Sequence, residues 1–434
     1  LLAANLAIFA GLILLIEIVC RVFPIVNIQW VEGNYETGFS IPAFYSEKSI
    51  FPEHPDGHFL YRGNNLGFRE DHDTRIEKSD SIRIVVLGDS HTDGVCWNRE
   101  SYANRLEHHL NEQRDGRSYE VINAGTGKYS PFQYLRAYQY RIKPLRPDIV
   151  VIGLYVGNDF FDMYRRDDRP FCQVNSDGSI SELPPDFFFY AKPGFTNTWL
   201  SHSYAYYIVF GSRFWKRISY HVTRAVIFYR NTAAMPGISR GDFLQYLLDL
   251  FRITNINRAA SVQSISQMTF FHYFPQARKT SLQLVQYVLS QFKAEQEQQG
   301  FRLIVVPIPT RFQIESPRAA KIQSAFLHKI NYIEEDQPAS LEDALTDSLL
   351  SALRRLGIEA LDLRPLLRKE AEKQALYYEQ DFHINPRAHD LIGREICRYL
   401  LANKPRETKD GRQIKNHTVT NEKLFLLRKE KLSG

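Results

Sequence analysis

Ile82-Arg83-Ile84-Val85-Val86-Leu87-Gly88-Asp89-Ser90 is the stretch that decides the fold. Its β-branched and aliphatic run reads as a buried strand, and Gly88 lets the backbone turn sharply at the C-terminal end. A serine just past that turn lies at the edge of a parallel sheet, where open α/β folds bind their ligands. Working outward, further strands are expected over residues 119–123 and 148–154, with helices over 101–113 and 131–142 between them. The pattern resumes with a helix over 281–298, a strand over 302–306, a helix near 341–356, a short strand over 360–363 and a closing helix over 386–401. Alternating strands and helices predict right-handed βαβ units around a parallel sheet.

The chain has 434 residues, of which 44% are hydrophobic and 24% charged, enough to bury a full core and too apolar for general disorder. The net charge of +5 is concentrated at one end: residues 403–434 hold nine Lys/Arg and four Asp/Glu, a surplus equal to that of the whole chain. The rest is near neutral, so no nucleic-acid partner is expected, and the tail reads as a solvated extension. Cys20, Cys96, Cys172 and Cys397 show neither a CxxC pair nor metal-type spacing, which indicates neither a zinc site nor a disulfide framework.

Residues 1–26 are almost wholly apolar, interrupted by Asn5, Glu17 and Arg21. A spanning helix needs about 20 predominantly apolar residues, so an uncleaved N-terminal membrane anchor is expected here. Residues 27–80 follow as an aromatic, turn-rich lead-in. Residues 81–402 carry the strand–helix alternation, and 403–434 form the basic tail. Within the alternating region, residues 160–279 break the rhythm. This segment interleaves Phe187, Trp199, Tyr206, Tyr207, Trp215 and Tyr229 with Arg213, Lys216, Arg217, Arg224 and Arg230. It reads as a helical insertion: a lid over the site, an interfacial helix with snorkelling cations, or aromatic packing alone.

Far downstream of Ser90, Asp381-Phe382-His383-Ile384-Asn385-Pro386 offers a carboxylate and an imidazole two residues apart. A serine hydroxyl is a poor nucleophile without an adjacent base, and the base needs a group that fixes its tautomer. In an extended loop, residues i and i+2 face the same way, which suits the pair. Pro386 then suits a first helical turn. Histidines elsewhere, including His91, His108, His109 and His389, read as surface or core residues. Gly125-Thr126-Gly127-Lys128 lacks the spacing of a phosphate loop, and neither GxSxG nor HExxH is present, so the proposed chemistry calls for no cofactor and no metal.

Four blocks together carry a resemblance. Gly88-Asp89-Ser90 with Thr92 and Gly94, Val121 through Gly127, Leu154 through Asp159, and Asp381-Phe382-His383 resemble, in order, the blocks of the SGNH (GDSL-type) hydrolases. The N-terminal apolar helix and the Asn65-Leu66-Gly67-Phe68-Arg69 stretch resemble the membrane-anchored bacterial branch. The resemblance implies a three-layer α/β/α flavodoxin-like parallel sheet. It implies Ser90 as nucleophile, His383 as base and Asp381 as its orienting carboxylate, with an oxyanion hole from the Ser90 and Gly127 N–H groups and the Asn158 amide. The chain departs from the family pattern in three places. Asp381 precedes the histidine by two residues rather than three, Val156 stands where the family has a glycine, and the glycine block is one residue short, which leaves Gly125 as a rival to Gly127. The implied activity is acyl-ester chemistry, as an esterase on acyl, most simply acetyl, esters of an envelope glycan or lipid, or as an O-acyltransferase on a cell-surface polysaccharide. A non-catalytic envelope module on the same fold is the alternative from a different class. The implied location is the membrane, facing the periplasm or exterior.

Overall fold

The computed structural model describes residues 2–22, 31–164, 169–184, 267, 270, 271, 274–315, 337–379 and 381–403. Helix α1 (Leu2–Val22) is followed by two antiparallel hairpins, β1 (Glu32–Asn34) with β2 (Gly38–Ser40), and β3 (Ser46–Ile50) with β4 (His58–Arg62). The α/β region then runs β5 (Ile82–Gly88), α2 (Ser90–Asp93), α3 (Tyr102–Glu112), β6 (Tyr119–Asn123), α4 (Pro131–Ala137), β7 (Ile149–Tyr155) and α5 (Asp159–Tyr164). A hairpin of β8 (Phe171–Val174) and β9 (Ile180–Leu183) follows. The chain returns with α6 (Pro275–Gln299), β10 (Arg302–Ile308), α7 (Arg311–Ile314), α8 (Gln337–Leu356), β11 (Glu359–Ala360), α9 (Arg364–Ala371) and α10 (Pro386–Ala402).

Five strands form one parallel sheet in the order β11-β10-β7-β5-β6. Renumbered by appearance within the sheet this is 2-1-3-4-5, the flavodoxin-like order, whose switch point lies between the first and third strands. Here that point lies between β5 and β7. The alternation of each strand supplies two cores. Val85, Leu87, Val150, Ile152, Leu303 and Val305 face α4, α6 and α8. Ile84, Val86, Val151, Ile304 and Val306 face α3, α9 and α10. The helices therefore form the outer layers because both faces of a parallel sheet must be covered.

The expected elements are present with shifted ends. The helix expected over 131–142 closes as α-helix at Ala137 and continues as one π turn over Tyr138–Ile142. The final strand is only Glu359–Ala360, and α6 begins at Pro275. Among the described residues no helix is long and apolar enough to cross a membrane, so the expected spanning anchor is not found. Most of the insertion expected over 160–279, and the tail from 404 onward, lie outside the described residues.

Candidate active site

Ser90 opens α2 immediately beyond β5, at the switch point of the sheet. The turn is built by close approach. A Cβ on Gly88 would stand 1.9 Å from Thr92 Oγ1, and one on the paired Gly153 would stand 2.0 Å from the Tyr102 hydroxyl. Those two hydroxyls bond each other at 2.7 Å, so a pair of polar groups sits over two glycines on neighbouring strands. Asp89 caps α2 by accepting from the His91 N–H at 2.9 Å. The Ser90 N–H, at the first helical position, is one of the donors that a helix start leaves without an intrahelical partner.

His383 brings Ser90 and Asp381 together. Its Nε2 lies 2.8 Å from Ser90 Oγ, and its Nδ1 is hydrogen-bonded to Asp381 Oδ1. The expected extended loop is not how the pair is aligned. Phe382 has φ +68°, so a left-handed residue folds the chain between the two side chains. That conformation costs a non-glycine residue about 1–2 kcal/mol, and packing holds it in place. The Phe382 ring lies 6.0 Å from Phe312 and 5.1 Å from the Arg311 guanidinium. Arg311 also pairs with buried Glu315 at 2.8 Å and donates to the Glu379 carbonyl at 2.9 Å. Asn385 then caps α10 through the Ala388 N–H.

The electrostatics suit a base that must gain and lose a proton. Burial alone would lower the His383 pKa, but Asp381, with Asp89 and Asp93 behind it, raises it above the ordinary imidazole value. Burial opposes ionisation of Asp381, yet His383 holds its carboxyl below the usual range. The neighbouring His91 is the reverse: burial, then His383 and His389, push its pKa well down, so it stays neutral. Its ring stacks on Tyr155 at 3.6 Å and lies 4.7 Å from the His383 ring. Burial pushes Asp89 up to about 7 and Asp93 up to about 6.

The expected oxyanion donors are found in different states. Gly127 lies beside Ser90, since a Cβ on it would be 3.7 Å from Ser90 Cβ. Its N–H is directed at the Asp93 carboxylate. The Asn158 amide donates one hydrogen to Asp162 at 2.9 Å, and its Oδ1 is buried without a partner. Gly125 has another task. A Cβ there would stand 2.4 Å from the Asp93 backbone nitrogen, and its own N–H donates to Asn123 Oδ1 at 3.0 Å. Gly125 thus lets the glycine loop pack onto α2, while Gly127 is the one that borders the serine.

Sequence reading missed the support beneath Ser90. Buried Arg69 pairs with Asp93 at 3.1 Å and donates to the carbonyls of Asp93, Gly94 and Cys96. Tyr61 donates to both Asp93 oxygens at 2.8 and 2.9 Å and lies 3.9 Å under the guanidinium. The available signal was Asp93, an acid three residues after the serine, together with the Gly67-Phe68-Arg69 stretch.

Residues 271–425 match the family model described as the SGNH hydrolase-like domain of acetyltransferase AlgX, a span that holds Asp381 and His383 but begins after Ser90. No curated protein sequence matches the chain. Among solved structures, an acetylxylan esterase from Geobacillus stearothermophilus is 10% identical, with 76% of this chain and 95% of that chain covered and a TM-score of 0.37. A lipase/acylhydrolase from Enterococcus faecalis is 12% identical, covering 75% and 99% at a TM-score of 0.33. An α/β hydrolase from the metagenome of Lake Arreo, Spain, is 11% identical, covering 76% and 97% at 0.36. Residues 271–425, which carry the histidine and the carboxylate, thus match an SGNH hydrolase-like domain, and the 2-1-3-4-5 sheet sets Ser90 at its switch point within hydrogen-bond reach of that histidine.

Proposed function

We propose that the protein transfers acyl groups through an acyl-Ser90 intermediate. The observation that carries this reading is the unbroken hydrogen-bond chain from Ser90 Oγ through His383 to Asp381. Ser90 Oγ attacks the ester carbonyl carbon while its proton passes to His383 Nε2. The tetrahedral oxyanion is met by the Ser90 N–H and by the free hydrogen of the Asn158 amide, with Gly127 adjacent. The alkoxide leaves with the proton from the imidazolium, which Asp381 has stabilised. Water or an acceptor hydroxyl then attacks the acyl carbon, gives its proton to His383, and releases Ser90. With water the outcome is an esterase; with a sugar hydroxyl it is an O-acyltransferase.

The reading we favour is deacylation of acyl, most simply acetyl, esters on an envelope glycan or lipid. The second reading is O-acyl transfer to a cell-surface polysaccharide; the family match, whose model is named for an acetyltransferase, supports the transfer chemistry in it. The bond between Asp381 and His383 weighs against a non-catalytic module, which had no need to keep it. Turnover of a chromogenic acetyl ester by wild type, Ser90→Ala and His383→Ala tests the chemistry. Loss in both variants supports an acyl-serine, and equal negligible rates in all three remove simple ester hydrolysis. Adding an acetylated oligosaccharide with a second glycan as acceptor then separates transfer from hydrolysis.

For location we propose the membrane surface on the periplasmic or outer side. Ile8, Phe9, Leu12, Leu14, Leu15 and Ile18 of α1 are exposed, which supports this reading. Recovery of the full chain in the soluble fraction, without detergent, argues against it.

A further inference from the structure

On the outer face of α3, His108, His109 and Glu112 place two imidazole nitrogens and a carboxylate within 4.8 Å of one another. His108 Nε2 lies 3.2 Å from Glu112 Oε1, and His109 Nδ1 lies 3.6 Å from Glu112 Oε2. We propose that these three side chains form a divalent-metal site, best suited to zinc, independent of the chemistry at Ser90. Two observations carry the inference.

The first is spacing. Four-coordinate zinc holds nitrogen and oxygen ligands at about 2.0–2.1 Å, which puts neighbouring ligand atoms about 3.3–3.4 Å apart. The two separations, each to a different Glu112 oxygen, are near that value, and all three ligand atoms lie within 4.8 Å of one another, so small rotamer changes bring them onto one ion. Two histidines and a glutamate make a known three-ligand zinc set, with the fourth position left to water.

The second is the outer partner. His109 Nε2 lies 2.9 Å from Asp390 Oδ1 on α10. Asp390 is itself fixed by Arg105 at 2.7 Å and by Arg394 at 2.7 Å. A histidine that binds a metal typically gives its other N–H to such a held carboxylate, which fixes the tautomer and orients the ring. The side chain of His109 is only 12% exposed, so this orientation is built in.

The competing arrangement of the same three side chains is a plain ion-pair array with no metal. His108 and Glu112 are half exposed, so an ion has an open path to the site.

A metal at this point joins α3 to α10 through Asp390. The two helices are already in close contact, since a Cβ on Gly393 would stand 2.8 Å from the Tyr102 carbonyl. Such a site adds a clip across the layer that carries the loop of His383.

Titration calorimetry of the metal-free full chain with Zn2+ near neutral pH tests the proposal. The expected result is one saturable site per chain. His108→Ala, His109→Ala and Glu112→Gln should each weaken it at least tenfold while leaving the circular dichroism spectrum unchanged. Asp390→Asn should weaken it about 10–100-fold without removing a ligand. Co2+ in place of zinc should give the visible absorption of a four-coordinate ion, absent in His109→Ala. No saturable uptake, or uptake that all three ligand variants retain, overturns the proposal and leaves the ion-pair array.

Discussion

Replacing Arg69 with Met should destabilise the protein heavily, and mostly through lost backbone support rather than lost charge. Asp93 titrates in the fold at about 6 against an ordinary 3.8, because burial outweighs the pull of Arg69. A raised carboxylate pKa means that the folded state holds its proton more tightly. Stability tied to Asp93 is therefore greatest below the ordinary value and falls as pH rises through about 6. Removing Arg69 drives the pKa higher, and at pH 7 Asp93 then simply takes up a proton. That caps the electrostatic loss at about 1.4 kcal/mol at pH 7, one unit above the folded pKa, and at almost nothing at pH 5. The rest of the loss does not depend on pH. Arg69 donates to three buried carbonyls, those of Asp93, Gly94 and Cys96, at 3.2, 3.0 and 2.8 Å. Hydrogen bonds from a charged donor contribute about 1.5–3 kcal/mol each, so the three together set the loss at pH 5. The expected loss is thus at least about 4 kcal/mol at pH 5 and no more than about 1.4 kcal/mol larger at pH 7. Urea unfolding of both proteins at the two pH values reads this directly. A loss under about 1 kcal/mol at pH 5 that becomes large at pH 7 would refute the reasoning and make the arginine a charge partner only.

Because Asp381 raises the pKa of His383, the acid limb of kcat/KM should lie above the ordinary imidazole value of 6.5, since the base works only when neutral. In Asp381→Asn that limb should move to lower pH while kcat drops by about 10⁴-fold; an unmoved limb removes Asp381 from the role. Gly125→Ala places a Cβ 2.4 Å from the Asp93 nitrogen and should lower stability by about 1–3 kcal/mol or more in thermal melts. Gly127→Ala meets only ordinary contacts at 3.5 and 3.7 Å, so it should melt like wild type; equal melting of the two variants sinks the division of labour between these glycines. Burial pushes the pKa of His389 down to about 3, so it is neutral in the fold and its contribution is lost as pH falls from 6.5 toward about 3. His389→Gln should flatten the rise of stability with pH over that window by about 1.4 kcal/mol per unit, as measured by urea unfolding at pH 4, 5 and 6.

What could be read from the chain and what could not have separate physical causes. The sheet was legible because parallel strands buried on both faces are written as β-branched runs such as residues 82–87 and 302–306, and local composition carries that pattern. Ser90, His383 and Asp381 were legible as residue types with a chemical need for each other. The left-handed Phe382 was not, because nothing local to a phenylalanine announces φ +68°; the packing of Phe312 and Arg311 imposes it. Arg69 was legible only as the end of the Asn65–Arg69 stretch, and nothing local shows that the fold places it, 24 residues from Asp93, beneath the serine turn. The same is true of His108 and His109, whose meaning depends on Asp390 nearly 300 residues away.

The lead-in before β5 is bound into the active site more tightly than its composition suggests. Tyr61 and Arg69 grip Asp93 from below, as described. Glu70, next in the chain, accepts the Asn123 N–H at 2.6 Å, and the Arg69 N–H donates to the Asn123 carbonyl at 3.1 Å. Asn123 in turn donates through its side chain to the Thr92 carbonyl at 3.0 Å and receives the Gly125 N–H. Two adjacent residues of the lead-in therefore tie the serine turn to the glycine loop, the two segments between which the proposed mechanism forms its tetrahedral intermediate. Donors of this kind act only if they are fixed before the charge develops. Loosening either Arg69 or Glu70 should consequently cost turnover before it costs substrate binding, even though neither residue borders the ester.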